Sequence, residues 1–188
     1  MLLSLLVQTG IAGSSGQAFL QRPIAGHPVL EMRIGVDRLE VGHPFVCAEV
    51  SPLRWLSVEG CGTGAGFLHH DPDFPDMAHF RARARVYGVG EGRVTADLLF
   101  GAGFAEIQST SDAPGFKFGA AREPEQIEGA GPEASVSVKG RLWLDNGGRT
   151  YATGDVNVGV AAIASAPTVI GTDGPIVPFA ALTFGLGF

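Results

Sequence analysis

Apolar residues recur at every second position along most of this chain, and clusters of Gly, Asp, Asn and Pro break the pattern into stretches of strand length. In residues 29–37, Leu30, Met32, Ile34 and Val36 alternate with Glu31, Arg33, Gly35 and Asp37. Residues 45–51 set Val46, Ala48 and Val50 against Cys47 and Glu49. Residues 55–68 set Leu56, Val58 and a row of glycines (60, 62, 64, 66) against Ser57, Glu59, Cys61 and Thr63. The clearest case is 77–89, where Phe80, Ala82, Ala84 and Val86 oppose Arg81, Arg83, Arg85 and Tyr87. Residues 93–105, 133–145, 151–163 and 176–188 repeat the scheme, so the pattern predicts about eight strands. No stretch of useful length carries a helical period.

The connections sort by length. Three are short and rich in turn formers (52–54, 88–92, 145–148), and they alternate with longer ones (39–43, 69–76, 107–132, 165–174). Short turns on one side and longer loops on the other fit an up-and-down antiparallel barrel spanning residues 29–188. The period alone does not say which face is inside, because a soluble barrel turns its apolar face inward and a membrane barrel turns it outward. The polar face decides. It mixes both signs of charge with small residues (Gly35, Gly101, Gly103, Gly159, Ala161, Gly185, Gly187), which suit a narrow interior better than a water-exposed surface.

Composition points the same way. Of 188 residues 45% are hydrophobic and only 17% charged, yet no run of 18 or more apolar residues could form a membrane-crossing helix. A net charge of -6 offers no basic patch and argues against nucleic acid as a partner. The N-terminus has a short apolar run from Leu2 to Val7, followed by small residues at Gly16 and Ala18. It reads as a signal peptide over 1–18 and a lead-in over 19–28, although no Lys or Arg precedes the run. A buried N-terminal strand is the alternative.

The closing stretch ends on Leu182, Phe184, Leu186 and Phe188, an uncharged alternation running to the last residue. In this it resembles bacterial outer-membrane β-barrel proteins, whose final strand typically ends in Phe behind alternating hydrophobics. The resemblance implies a transmembrane barrel of about eight strands in the bacterial outer membrane. It implies as partners the barrel assembly machinery, which reads that ending, and outer-membrane lipid and lipopolysaccharide. Small barrels of this kind include lipid A deacylases and palmitoyl transferases, which use His with Ser and an acidic residue near the outer rim; His70 with Ser109 or Ser111 would be the matching residues.

Folding each hairpin about its turn places Arg33 opposite Glu49, Arg83 opposite Asp97, Lys139 opposite Asp155, and Glu59 opposite Arg85 or a neighbour; Arg81 and Arg141 share their face. A lumen filled by these ion pairs, without an open channel, is therefore expected. Cys47 and Cys61 fall opposite one another, as a cross-strand disulfide or as two lumen-facing thiols. Neither has a metal or catalytic spacing. His69, His70, Asp71, Asp73 and Asp76 crowd one loop and could attract a divalent cation, but without regular ligand spacing they read as an acidic surface loop. The repeated GAGF and GLGF segments lack the strand-to-helix context of a phosphate loop and read as strand packing. No cofactor motif is present. Trp55, Tyr87, Trp143 and Tyr151 gather at the short-turn end with inward parity, unless a β-bulge reverses it.

The expected role is structural, anchoring or surface interaction, with the long polar loop 107–132 and its Phe116, Lys117 and Phe118 as the extracellular partner contact. A lipid A-modifying enzyme and a soluble lipocalin-like binder of a small apolar ligand are the alternatives.

Overall fold

The computed structural model describes residues 30–38, 44–62, 75–109, 116–145 and 148–188. Its strands are β1 (Leu30–Asp37), β2 (Phe45–Leu53), β3 (Leu56–Gly62), β4 (Asp76–Glu91), β5 (Val94–Gln108), β6 (Glu128–Trp143), β7 (Tyr151–Ala162) and β8 (Ile176–Gly187). Each pairs antiparallel with the next, and β8 returns to β1, so the sheet closes as an eight-stranded up-and-down barrel. The one helix among the described residues, α1 (Ala166–Val169), lies in the β7–β8 connection. The predicted signal peptide and lead-in lie outside the described residues.

Alternation becomes two faces. Leu30, Met32, Ile34 and Val36 of β1 are exposed on the outside, as are Phe100 of β5, Val156, Val158 and Val160 of β7, and Leu182, Phe184 and Leu186 of β8. Their neighbours Glu31, Arg33, Glu49, Glu59, Arg81, Arg83, Asp97, Lys139, Arg141 and Asp155 are all buried inside. This inverts the arrangement of a water-soluble domain, where charged residues are almost never fully buried and apolar ones usually are.

The short turns gather at the end where β1 begins and β8 finishes. Gly92 takes the left-handed conformation (φ 58°) that the tight turn between β4 and β5 requires. Between β6 and β7 the Asp145 carboxylate accepts the backbone N–H groups of Thr150 (3.0 Å) and Arg149 (2.9 Å). The Thr150 bond, then that of Arg149, holds this exposed carboxyl below its ordinary value. Its contribution to the turn is therefore present at neutral pH and is lost as pH falls through that lowered value.

Three predicted registers are corrected. Glu49 pairs with Glu31, and Arg33 faces Cys47, because the β1–β2 connection is centred one residue earlier than the arithmetic assumed. Arg83 faces Gly101 rather than Asp97, because β4 runs on to Glu91 and the turn falls at Gly92 and Arg93 instead of being centred on Gly90. Glu59 faces Arg81, not Arg85. Lys139 faces Asp155 as expected, and Cys47 faces Cys61 in a disulfide.

A bulge between Arg85 and Tyr87 puts one extra residue on β4, since Arg85 pairs with Leu99 and Tyr87 with Leu98. Parity reverses there, and Tyr87 points outward, 57% exposed. Trp55, in the β2–β3 turn, is also exposed rather than inward. Trp143 and Tyr151 do meet across their hairpin, with ring centroids 4.9 Å apart and planes tilted by 57°.

Inward glycines let the small sheet curl. A Cβ on Gly185 would meet the Met32 carbonyl oxygen and Arg33 Cα (2.6 Å), which are backbone atoms of β1 across the closing seam. Gly185→Val is expected to lower stability by about 1–3 kcal/mol or more through overpacking. Urea titration of the folded fraction, read by gel mobility before and after boiling, checks this; an unchanged midpoint contradicts it.

Candidate functional site: the charged lumen and its apolar cap

Six cationic side chains (Arg33, Arg81, Arg83, Arg85, Lys139, Arg141) meet six carboxylates (Glu31, Glu49, Glu59, Asp97, Glu133, Asp155) inside the barrel. Each comes from an inward position of β1 to β7. The network runs along the barrel axis in layers set by strand register.

Nearest the short turns, Arg141 pairs with Asp97, which also receives Arg85 at 3.2 Å. The Arg141 guanidinium lies over the Tyr151 ring, 5.4 Å from its centroid, and the Tyr151 hydroxyl donates to Glu31 at 2.8 Å. In the middle layer, Lys139 is fully buried and reaches Glu31 (2.8 Å) and Glu49 (2.5 Å). Arg83 spans the lumen to Glu49 (3.0 Å), Glu59 (2.6 Å), Asp155 (2.5 Å) and the Ser137 hydroxyl. Arg33 bonds Asp155 at 2.8 Å and also pairs with Glu59. Small residues make the reach possible, since a Cβ on Gly101 would meet the stems of Arg81 (Cδ, 3.3 Å) and Arg83 (Cγ, 3.7 Å).

Above this layer, Arg81 bonds Glu59 at 2.6 Å, and Glu133 accepts from His79 Nδ1 at 2.6 Å. The His79 ring lies 4.4 Å from that of Phe179 and 5.9 Å from that of Phe45, so it marks the boundary where the interior turns apolar. Phe45, Ala181 and the Cys47–Cys61 disulfide form one small apolar cluster. Met77, Ile107, Ile163, Val177 and Phe179 form a larger one with Ala166 and Val169 of α1, which stopper the loop end from inside. The predicted polar ladder is thus the lower part of a two-part filling.

Within this set, six cations against six carboxylates leave each buried charge with a counter-charge in reach, which is what a low-dielectric interior demands. Glu49, Glu59 and Asp155 bring carboxylate oxygens within 4.8 Å of one another, as a metal site would, but Arg33, Arg83 and Lys139 already occupy their acceptor positions. Sequence reasoning missed Glu31, Glu133 and His79 as network members and missed the apolar cap altogether. Inward parity was the signal for the first three; for the cap it was the run Ile176–Ala181, apolar on both faces.

The other predicted residues separate. His69, His70, Asp71, Asp73 and Ser111 lie outside the described residues, while Asp76 opens β4. Ser109 is held to Ile127, its backbone N–H and hydroxyl both donating to that carbonyl. The long loop is shorter than 107–132, because β5 extends to Gln108 and β6 begins at Glu128. Part of it folds back on the barrel: Lys117 pairs with Glu128 at 2.8 Å, and Phe116 packs on Phe104 and Phe80 of the outer wall, with centroids 4.9 and 5.4 Å apart.

Comparison with family models, with curated proteins and with solved structures found no match. The class the geometry defines is an inverted eight-stranded barrel with a salt-bridged interior.

Replacing Arg83 with Met leaves Glu49, Glu59 and Asp155 sharing one cation fewer inside the lumen. The expected loss is about 3–5 kcal/mol, against less than about 1 kcal/mol for Val138→Ala on the outer face. Denaturant midpoints of the two variants check the contrast, and equal midpoints contradict it.

Proposed function

We propose that this chain is an outer-membrane β-barrel of a Gram-negative bacterium, with a structural, anchoring or surface-interaction role and a lumen sealed against ion flow. The observation that carries the reading is the outer wall, where Ile34, Val58, Phe100, Val138, Val158 and Phe184 stand about half exposed while charged partners fill the inside. In water such a wall would be a large aggregation surface; in hydrocarbon it is the required one.

In this setting the short turns face the periplasm and the longer connections face outward. Leu182, Phe184, Leu186 and Phe188 form the row presented to the assembly machinery. Lipid and lipopolysaccharide surround the wall, and the 109–127 connection, with its phenylalanines against Phe80 and Phe104, is the surface offered to an extracellular partner. A lipocalin-like role needs an apolar cavity in mid-barrel, and that space holds Arg33, Arg83 and Lys139 with their carboxylates. A lipid A hydrolase needs a hydroxyl nucleophile within reach of a histidine. Of the residues expected in that role, Ser109 is held to the Ile127 carbonyl, while His70 and Ser111 lie outside the described residues.

Urea-unfolded protein diluted into phospholipid vesicles is expected to insert and to run faster on gels before boiling than after. Phe100→Arg, which puts a charge on the mid-height outer face, is expected to destabilise the inserted form by about 2–4 kcal/mol. A well-behaved monomer in plain buffer contradicts the reading. Planar-bilayer recording separates its second half: the sealed lumen predicts no resolvable conductance steps, and stable steps would show that the interior is open.

A further inference from the structure

The outer wall is not uniformly bulky. On β7, β8 and β1 the register aligns Val156, Leu182 and Val36 in one row. In the next row toward the loop end, Ala180 stands between Val158 and Arg38, whose backbone N–H donates to the Ala180 carbonyl at 2.9 Å. A methyl group thus sits where its neighbours carry longer side chains, and the wall dips into a groove of about 390 Å³. Its outward lining is Val36, Val156, Val158 and Leu182, with Ala180 as the floor and Arg38 at the upper rim. Asp37 and Asn157, which also border it, turn buried side chains to the lumen.

Arg38 differs from the lumen cations and from Lys117. The lumen cations and Lys117 have carboxylate partners, whereas Arg38 is exposed and takes part in none of the ion pairs among the described residues. It stands where β1 leaves the barrel wall, at the end of the apolar band.

We infer that this groove is a site for one phosphate-bearing lipid of the outer leaflet, for which phosphatidylglycerol serves as the probe, an acyl chain lying along Ala180 between Val36, Val158 and Leu182, with a headgroup phosphate on the Arg38 guanidinium. This rests on the membrane reading above. A guanidinium matches phosphate with paired N–H donors, and it is less strongly hydrated than an ammonium. The aliphatic lining supplies the chain contact, and the missing side chain at 180 supplies the room. Charge complementarity selects an anionic over a zwitterionic headgroup. The groove beneath selects a lipid over free phosphate.

Native mass spectrometry of the full chain, released from micelles doped with phosphatidylglycerol or phosphatidylcholine, tests this. The wild type is expected to retain one phosphatidylglycerol about tenfold more often than phosphatidylcholine, and Arg38→Gln to abolish that preference. Ala180→Phe, which fills the groove, is expected to reduce retention of both lipids. Neither position belongs to the lumen network, so gel mobility before boiling reports folding independently. Equal retention of the two lipids by wild type, or an undiminished preference in Arg38→Gln, overturns the site. Displacement of the lipid by equimolar inorganic phosphate also overturns it, since the chain would then contribute nothing. Failure of the wild type to enter vesicles of either composition overturns the membrane reading itself.

Discussion

Arg33, Arg83 and Lys139 can occupy the middle of this barrel only because Glu49, Glu59 and Asp155 are there with them. Any one of these charges alone in that space would face a desolvation penalty of several kcal/mol, and the partner it left behind would face another. The interior is therefore specified collectively. Some pairs are cross-strand bridges, as Arg81 with Glu59, but others span the lumen: Arg83 of β4 reaches carboxylates of β2, β3 and β7, and Lys139 of β6 reaches those of β1 and β2. Bonds that cross the lumen tie opposite walls together, which neighbouring-strand hydrogen bonds cannot do. Above the ions, the apolar cap of Met77, Ile107, Ile163 and α1 closes the same space by ordinary packing. The change from ionic to apolar filling occurs at His79, which bonds Glu133 on one side and touches Phe45 and Phe179 on the other.

The wall follows from this interior. Long arginines need room, and the sheet provides it with glycines at inward positions such as Gly101 and Gly185. Gly185 also lets neighbouring strands approach closely at the seam where the sheet closes. With the polar half of every strand committed to the inside, the apolar half is left facing out. A closed barrel satisfies every backbone group of its strands and has no free edge, so such a wall is tolerable in a bilayer. Composition and fold are in this sense one fact: few charges in total, and most of those on the strands turned into the lumen.

Much of this was legible in the sequence because a period of two is a direct image of the two faces. Strand number, closure, the inward charges and the facing cysteines all follow from alternation and turn spacing. What escaped were quantities that alternation does not carry. Register depends on where each turn is centred, and a turn at Gly92 and Arg93, not one centred on Gly90, sets it for β4 and β5. A single extra residue before Tyr87 moved that ring outside. The apolar cap was hidden because Val177 and Phe179 share the inward parity of the charged residues, and parity says nothing about which filling each height of the lumen contains. Side chains that cross the lumen, such as Arg33 to Asp155, link strands distant in sequence, and hairpin arithmetic cannot find them.

The central claim is one of direction, that even-numbered positions of β5 from 96 to 102 meet hydrocarbon and odd-numbered ones do not. Spin labels placed singly from 96 to 104 in vesicle-inserted protein read this through collisions with oxygen, which concentrates in lipid, and with a water-soluble nickel complex. The account predicts oxygen accessibility peaking at 96, 98, 100 and 102, with low access to both reagents at 97, 99 and 101. Nickel accessibility peaking at the even positions would place the apolar face in water and contradict it.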